Sequence, residues 1–217
     1  MDEKERQSAF MSALVTEHFV LQTAANATVS EAGARASLYI FSLSSSLVAM
    51  GFVSRSREVF MPFVATVLPA LFLLGVFTVI RLVDNAIENR QCLIGIARIR
   101  SYYRTLTPEA AVYFAAREGR WPETLSTPAL RLGLLVAFIT TMASMVAFVN
   151  SIVAGAGVTL LAGDLLGGDR NSLALLLGVT AAVVLMAAFL AYQRWRYRIS
   201  EPAESPEGHW EADRRTG

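Results

Sequence analysis

Four charged residues flanking two long apolar runs are the strongest chemical signal in this chain: Glu31 and Arg35 before the first run, Arg81 and Asp84 after the second. Carboxylates and guanidiniums placed this way form charge-assisted hydrogen bonds. In a helix, Glu31 four residues ahead of Arg35 has the favourable orientation for an ion pair. If the two runs fold back as a hairpin pivoting near Arg57, Arg35 lies level with Val79 and Glu31 with Val83. That register predicts an inner-boundary cluster in which Arg35 reaches Asp84 and Glu31 reaches Arg81. The competing reading is of ordinary interfacial charges that snorkel to water.

A second set is neutral. Ser42, Ser44, Ser45, Ser46 and Ala49 lie in the first run, and Gly133, Ala137, Thr141 and Ser144 in the third, with Asn150 the strongest hydrogen-bonding side chain there. Small and hydroxylated residues let helix backbones approach and bond across. The same hydroxyls would suit the lining of a pore. Both readings stay open, with Ser42, Ser45, Ser46, Thr141, Ser144 and Asn150 as the residues that carry them.

Catalytic patterns are missing. The chain has no His-Glu-x-x-His helix, no Gly-x-Ser-x-Gly elbow and no aspartate-rich metal loop. Glu109 with Glu118, and Asp164 with Asp169, read as solvated carboxylates. Gly155, Ala156 and Gly157 lack the Gly-Lys-Ser/Thr continuation of a phosphate loop. Cys92 is the only cysteine, which rules out an intramolecular disulfide and a cysteine cluster on zinc. We therefore expect no enzyme, no cofactor, no metal and no nucleic-acid partner.

What must position these residues is a set of four uncharged apolar segments: Ala36 to Val53, Phe60 to Ile80, Leu132 to Ala154 and Leu173 to Tyr192. A hydrocarbon core of about 30 Å needs about 20 such residues in helical form. The composition agrees, since 54% hydrophobic and 17% charged residues are too apolar for an ordinary water-soluble domain. The fold class expected is an all-α membrane protein with four transmembrane helices. The acidic start of the chain is unlike a secretory signal, so the first span is expected to act as an uncleaved anchor.

Basic residues near span ends stay in the cytoplasm. Arg81, Arg90, Arg98, Arg100, Arg104, Arg117, Arg120 and Arg131 lie between the second and third spans, and Arg194, Arg196 and Arg198 follow the fourth. The expectation is a multi-pass protein of the cell (inner) membrane of a bacterium, with both termini cytoplasmic. Tyr192, Trp195 and Tyr197 form an aromatic belt where the last span ends.

Beyond the spans, residues 1–35 read as a cytoplasmic amphipathic helix with the stripe Phe10, Met11, Leu14, Val15, His18 and Phe19. Residues 84–131 read as a cytoplasmic region in which Asp84 to Arg104 continues the helix of the second span roughly 30 Å past the bilayer, with a short helix over 108–118 behind the Thr107-Pro108 start. The two extensions are expected to pack as an antiparallel cytoplasmic stalk. The alternative is a helix lying on the membrane surface, for which the polar face carries few cations. Pro69 is expected to kink the second span. Residues 155–172 are read as an outward loop and 193–217 as a disordered tail.

The segment Glu31 to Leu47, EAGARASLYIFSLSSSL, followed by a second span and a polar helix, resembles the SLATT and Pycsar-type transmembrane effector modules of bacterial nucleotide-signalling defence. The resemblance covers Gln22 to Leu106 and implies oligomerisation and membrane perturbation triggered by a cytoplasmic signal. This chain differs in having two further spans and no recognisable nucleotide-binding domain. The function expected is a non-enzymatic signalling or effector component. The alternative is an oligomeric channel or transporter subunit. Expected partners are the lipid bilayer, further copies of the chain, and a cytoplasmic protein or small-molecule trigger.

Overall fold

The computed structural model describes residues 2–114, 140–166 and 171–200. Within them lie four long helices and one short one: α1 (Glu3–Val53), α2 (Arg57–Arg104), α3 (Ala110–Tyr113), α4 (Met142–Leu166) and α5 (Asn171–Ile199). There is no strand among the described residues. All four long helices are long and apolar enough to cross a membrane.

α1 begins at a capping box, with Asp2 and Glu5 each bonding the other's backbone N–H. It then runs unbroken for 51 residues, about 75 Å. The turn at Ser54–Ser56 ends it: the Ser54 hydroxyl donates to the Gly51 carbonyl at 2.8 Å, and Ser56 takes an extended backbone. α2 continues for 48 residues through both Pro62 and Pro69. Each proline removes one backbone donor, yet the helix does not stop, because lipid offers no other partner for the backbone groups around them.

α1 packs along α2, α2 along α4, and α4 along α5. Partner numbers on α2 fall as those on α1 rise. The Phe10 ring meets Tyr102 edge-on at 5.5 Å, Leu21 packs against Gly95, Thr28 meets Asn85 and Glu31 meets Arg81. On α1 the covered positions include Met11, Leu14, His18, Leu21, Ala25 and Thr28. Their alternating three- and four-residue steps are those of a coiled-coil seam. Phe10, Val15 and Phe19, which the sequence stripe includes, are 49%, 45% and 63% exposed. A two-helix seam is narrower than the stripe drawn for them.

The core gathers Tyr39 of α1, Val79, Leu82, Val83 and Ile87 of α2, and Ala143, Val146 and Ala147 of α4. Phe189, Tyr192 and Tyr197 of α5 pack against it. Tyr197 is thus half-buried, whereas Trp195 of the expected belt is 55% exposed.

Two boundaries differ from expectation. The third span does not end at residue 154: α4 continues through Gly155, Ala156 and Gly157 to Leu166, replacing most of the loop expected over 155–172. A glycine pair that would end a helix in water is tolerated where the backbone must bond internally. Here it also has a packing role. A Cβ on Gly155 would stand 2.7 Å from the Gly178 carbonyl of α5, so the glycines let these two helices cross closely. At the other end, α5 extends to Ile199, past the expected tail start at 193. The described part of the 108–118 helix is Ala110–Tyr113, with the Thr107 hydroxyl accepting from the Ala110 N–H at 3.2 Å. Residues 115–139, with Gly133 and Ala137 among them, lie outside the described residues, as do 167–170 and 201–217.

Candidate functional site

Where α1, α2 and α5 pass the same level, their charges meet. Arg81 grips the Glu31 carboxylate side-on, its Nε donating to Oε1 at 3.0 Å and its Nη2 to Oε2 at 3.2 Å. Arg35, one turn along α1, donates from Nε to the same Oε1 at 2.8 Å. Glu31 therefore serves two guanidiniums, and Glu88 stands 3.6 Å from the outer edge of Arg81.

Asp84 does not join that group. Its carboxylate accepts from Arg196 of α5 at 2.5 Å, so the expected Arg35–Asp84 contact is absent. Residue 84 is three positions past 81, about 60° around the helix, which turns it from α1 toward α5. Arg35 is satisfied within its own helix. The layer consequently ties three helices rather than two: α1 to α2 through Glu31 and Arg81, and α2 to α5 through Asp84 and Arg196.

The electrostatics follow from these contacts. Hydrogen bonds from Arg81 and then Arg35 lower the Glu31 pKa from 4.5 to about 2. The Glu31 carboxylate raises Arg81, and Asp84 raises Arg196. Burial raises Tyr197, beside them on α5.

Neutral groups flank the layer on both sides. Asn85 is 1% exposed, its amide lying 3.5 Å from the Thr28 carbonyl and its own Oδ1 without a partner among the described residues. Ser144 donates to Gln193 Oε1 at 3.0 Å, and Gln193 Nε2 donates to the Thr141 hydroxyl at 3.0 Å. The two hydroxyls lie 2.9 Å apart, which closes a three-residue ring between α4 and α5. Deeper, Asn150 is fully buried: Tyr39 donates to its Oδ1 at 3.3 Å and its Nδ2 donates to the Phe72 carbonyl at 3.3 Å. Gly75 makes room for it, since a Cβ there would overlap the Asn150 amide.

Of the expected packing or pore-lining residues, Thr141, Ser144 and Asn150 thus bond between helices. Ser42 donates to the Leu38 carbonyl of its own helix at 2.9 Å, Ser45 is exposed and Ser46 is half-buried. Sequence reasoning missed Arg196, Gln193, Asn85 and Tyr39. Gln193 and Tyr39 did carry a signal, as strong hydrogen-bonding groups in or at the edge of apolar spans.

Chemically, the layer can hold helices in register and change their contacts when a charge is moved. Among the described residues, no three His, Cys, Asp or Glu side chains stand close enough to share a metal ion. Comparison of the chain with protein-family models, curated proteins and solved structures finds no match.

Proposed function

We propose that this chain is a non-enzymatic signalling or effector component of a bacterial cell (inner) membrane, with both termini cytoplasmic. Beyond the bilayer, α1 and α2 form an antiparallel stalk that carries a cytoplasmic input to the four-span bundle. The observation that supports this most is continuity: each of these helices joins its apolar span to its polar extension without a break, over 51 and 48 residues. A displacement at Phe10 and Tyr102 has no hinge in which to dissipate before the Glu31–Arg81 layer, where α5 is attached through Asp84 and Arg196. The arginine bias supports the orientation, and the resemblance of Gln22 to Leu106 to SLATT and Pycsar-type effectors supports a cytoplasmic protein or small molecule as trigger.

A second reading is an oligomeric channel or transporter subunit. It draws on Ser44 and Ser45, which are exposed on α1, the helix whose apolar window is only 6% buried. Hydroxyls so placed suit contact with further copies around a pathway. Flux from liposomes holding the purified protein separates the two readings. Silence until a cytoplasmic partner or ligand is added supports the signalling reading; spontaneous flux overturns it in favour of the channel.

A further inference from the structure

At the end of the spans far from the charge layer, a partly open cleft of about 550 Å³ separates α2 from α4. Its walls include Pro62, Ala65 and Pro69 on one side and Ala154, Gly157 and Leu161 on the other, with larger apolar side chains such as Leu68 and Phe72 between them. Proline rings and small side chains leave this space open, although the same two helices pack closely further along, at Gly75 and Asn150 and where Val79, Leu82 and Val83 meet Ala143, Val146 and Ala147. The cleft is almost wholly apolar, and its one charged lining residue, Asp164, lies at the rim.

We propose that this cleft is a lipid site, holding one acyl chain of a bilayer phospholipid whose zwitterionic headgroup rests on Arg57 and Asp164. Its length fits. From Met61 to Phe72 along α2 is about 16 Å, half of a hydrocarbon core of about 30 Å and therefore the reach of a chain in one leaflet. The deep end stops at Phe72, whose carbonyl is bonded by Asn150. Its volume lies within the range of sites that enclose small organic ligands.

The headgroup assignment rests on charge complementarity. Arg57 Nη2 stands 2.6 Å from Asp164 Oδ1, and the two side chains are 79% and 49% exposed. A cation and an anion side by side match a phosphate and an adjacent ammonium. Arg55 and Glu58, beside them in sequence, leave this end with no net charge. An anionic lipid would bring phosphate to Arg57 but nothing to Asp164, so a zwitterionic aminophospholipid is favoured over phosphatidylglycerol.

The test uses the full chain in nanodiscs made from equal parts phosphatidylethanolamine and phosphatidylglycerol. A phosphatidylethanolamine carrying a photoreactive group midway along one acyl chain is added, and labelled peptides are mapped. Labelling concentrated on residues 61–72 and 153–161 is expected; labelling spread evenly over α1 and α5 would overturn the site. Native mass spectrometry after delipidation should retain one phosphatidylethanolamine per chain. Arg57→Gln with Asp164→Asn should weaken retention about tenfold, the loss of one charge-assisted contact, and Ala65→Phe with Ala154→Phe should abolish it. The mapping on the wild-type chain decides the matter even if the filled-cleft variant fails to fold. No retained lipid would overturn the site, and a dimer with the cleft protected from labelling would assign the cleft to a second copy instead.

Discussion

Glu31 of α1 and Arg81 of α2 form a two-point contact across the helix pair, with both nitrogens of one edge of the guanidinium on both carboxylate oxygens. Such geometry fixes relative rotation as well as distance. The level at which two long helices are locked is also the level at which α5 is tied on, through Asp84 and Arg196.

Charge exchange should therefore follow the observed partners. Glu31→Arg with Arg81→Glu should recover what either single change loses. Asp84→Arg with Arg196→Asp should likewise recover its singles, each of which lowers the thermal midpoint by about 2 to 4 °C or less, as expected of a partly exposed pair. Arg35→Glu with Asp84→Arg should give no rescue, because those side chains are not partners. Midpoints measured in detergent check all three pairs; rescue by the third alone would refute the register.

Acid should loosen the layer only well below neutrality. The folded-state pKa of Glu31 is depressed from 4.5 to about 2 by Arg81 and Arg35. Its contribution is therefore fully present above about pH 4.5 and lost as pH falls through about 2. Spin labels at Ala24→Cys and Asn89→Cys in a Cys92→Ser background should report a constant distance from pH 8 to pH 5 and a change only below that. A transition centred between pH 5 and 6 would show that another group governs the contact.

Two glycine substitutions should behave differently. Gly75→Ala puts a methyl into the Asn150 side chain, whereas Gly178→Ala meets the Gly155 backbone carbonyl at 2.5 Å as well as Thr159. Each should cost about 1 to 3 kcal/mol as overpacking. Asn150→Ala should relieve the first, because the obstacle is a removable side chain. Thr159→Ala should fail to relieve the second, because the carbonyl remains. Unfolding free energies of the four single and two double variants settle this; a rescued Gly178→Ala would mean that α4 and α5 are free to separate.

Asn85 offers a stabilising change. Its Oδ1 is buried without a partner among the described residues, and its amide contact with Thr28 is long at 3.5 Å. An unsatisfied buried acceptor costs about 1 to 3 kcal/mol, while an apolar group of similar shape does not. Asn85→Leu should raise the thermal midpoint. A fall would show that the amide holds α1 and α2 together.

The spans were legible because charge-free runs of this length have few uses outside lipid. The Glu31–Arg81 contact was legible for a different reason: the short turn at Ser54–Ser56 leaves α1 and α2 almost one register in which to pair. No such turn relates α2 to α5, so Arg196, 112 residues from Asp84, gave no hint of its partner. Gly155 and Gly157 misled because their helix-ending tendency belongs to water. In the bundle Gly155 is where α5 passes α4, and the matching Gly178 is recognisable only once both helices are known to cross there.

The central claim is that the α1–α2 extension and the bundle act as one body through the charged layer. Hydrogen exchange in nanodiscs tests it directly in Leu21→Ala, which removes the side chain packed on Gly95, beyond the spans. The account predicts faster exchange not only over residues 10–30 and 85–104 but also over 190–199 of α5. Faster exchange confined to α1 and α2, with 190–199 unchanged, would contradict it.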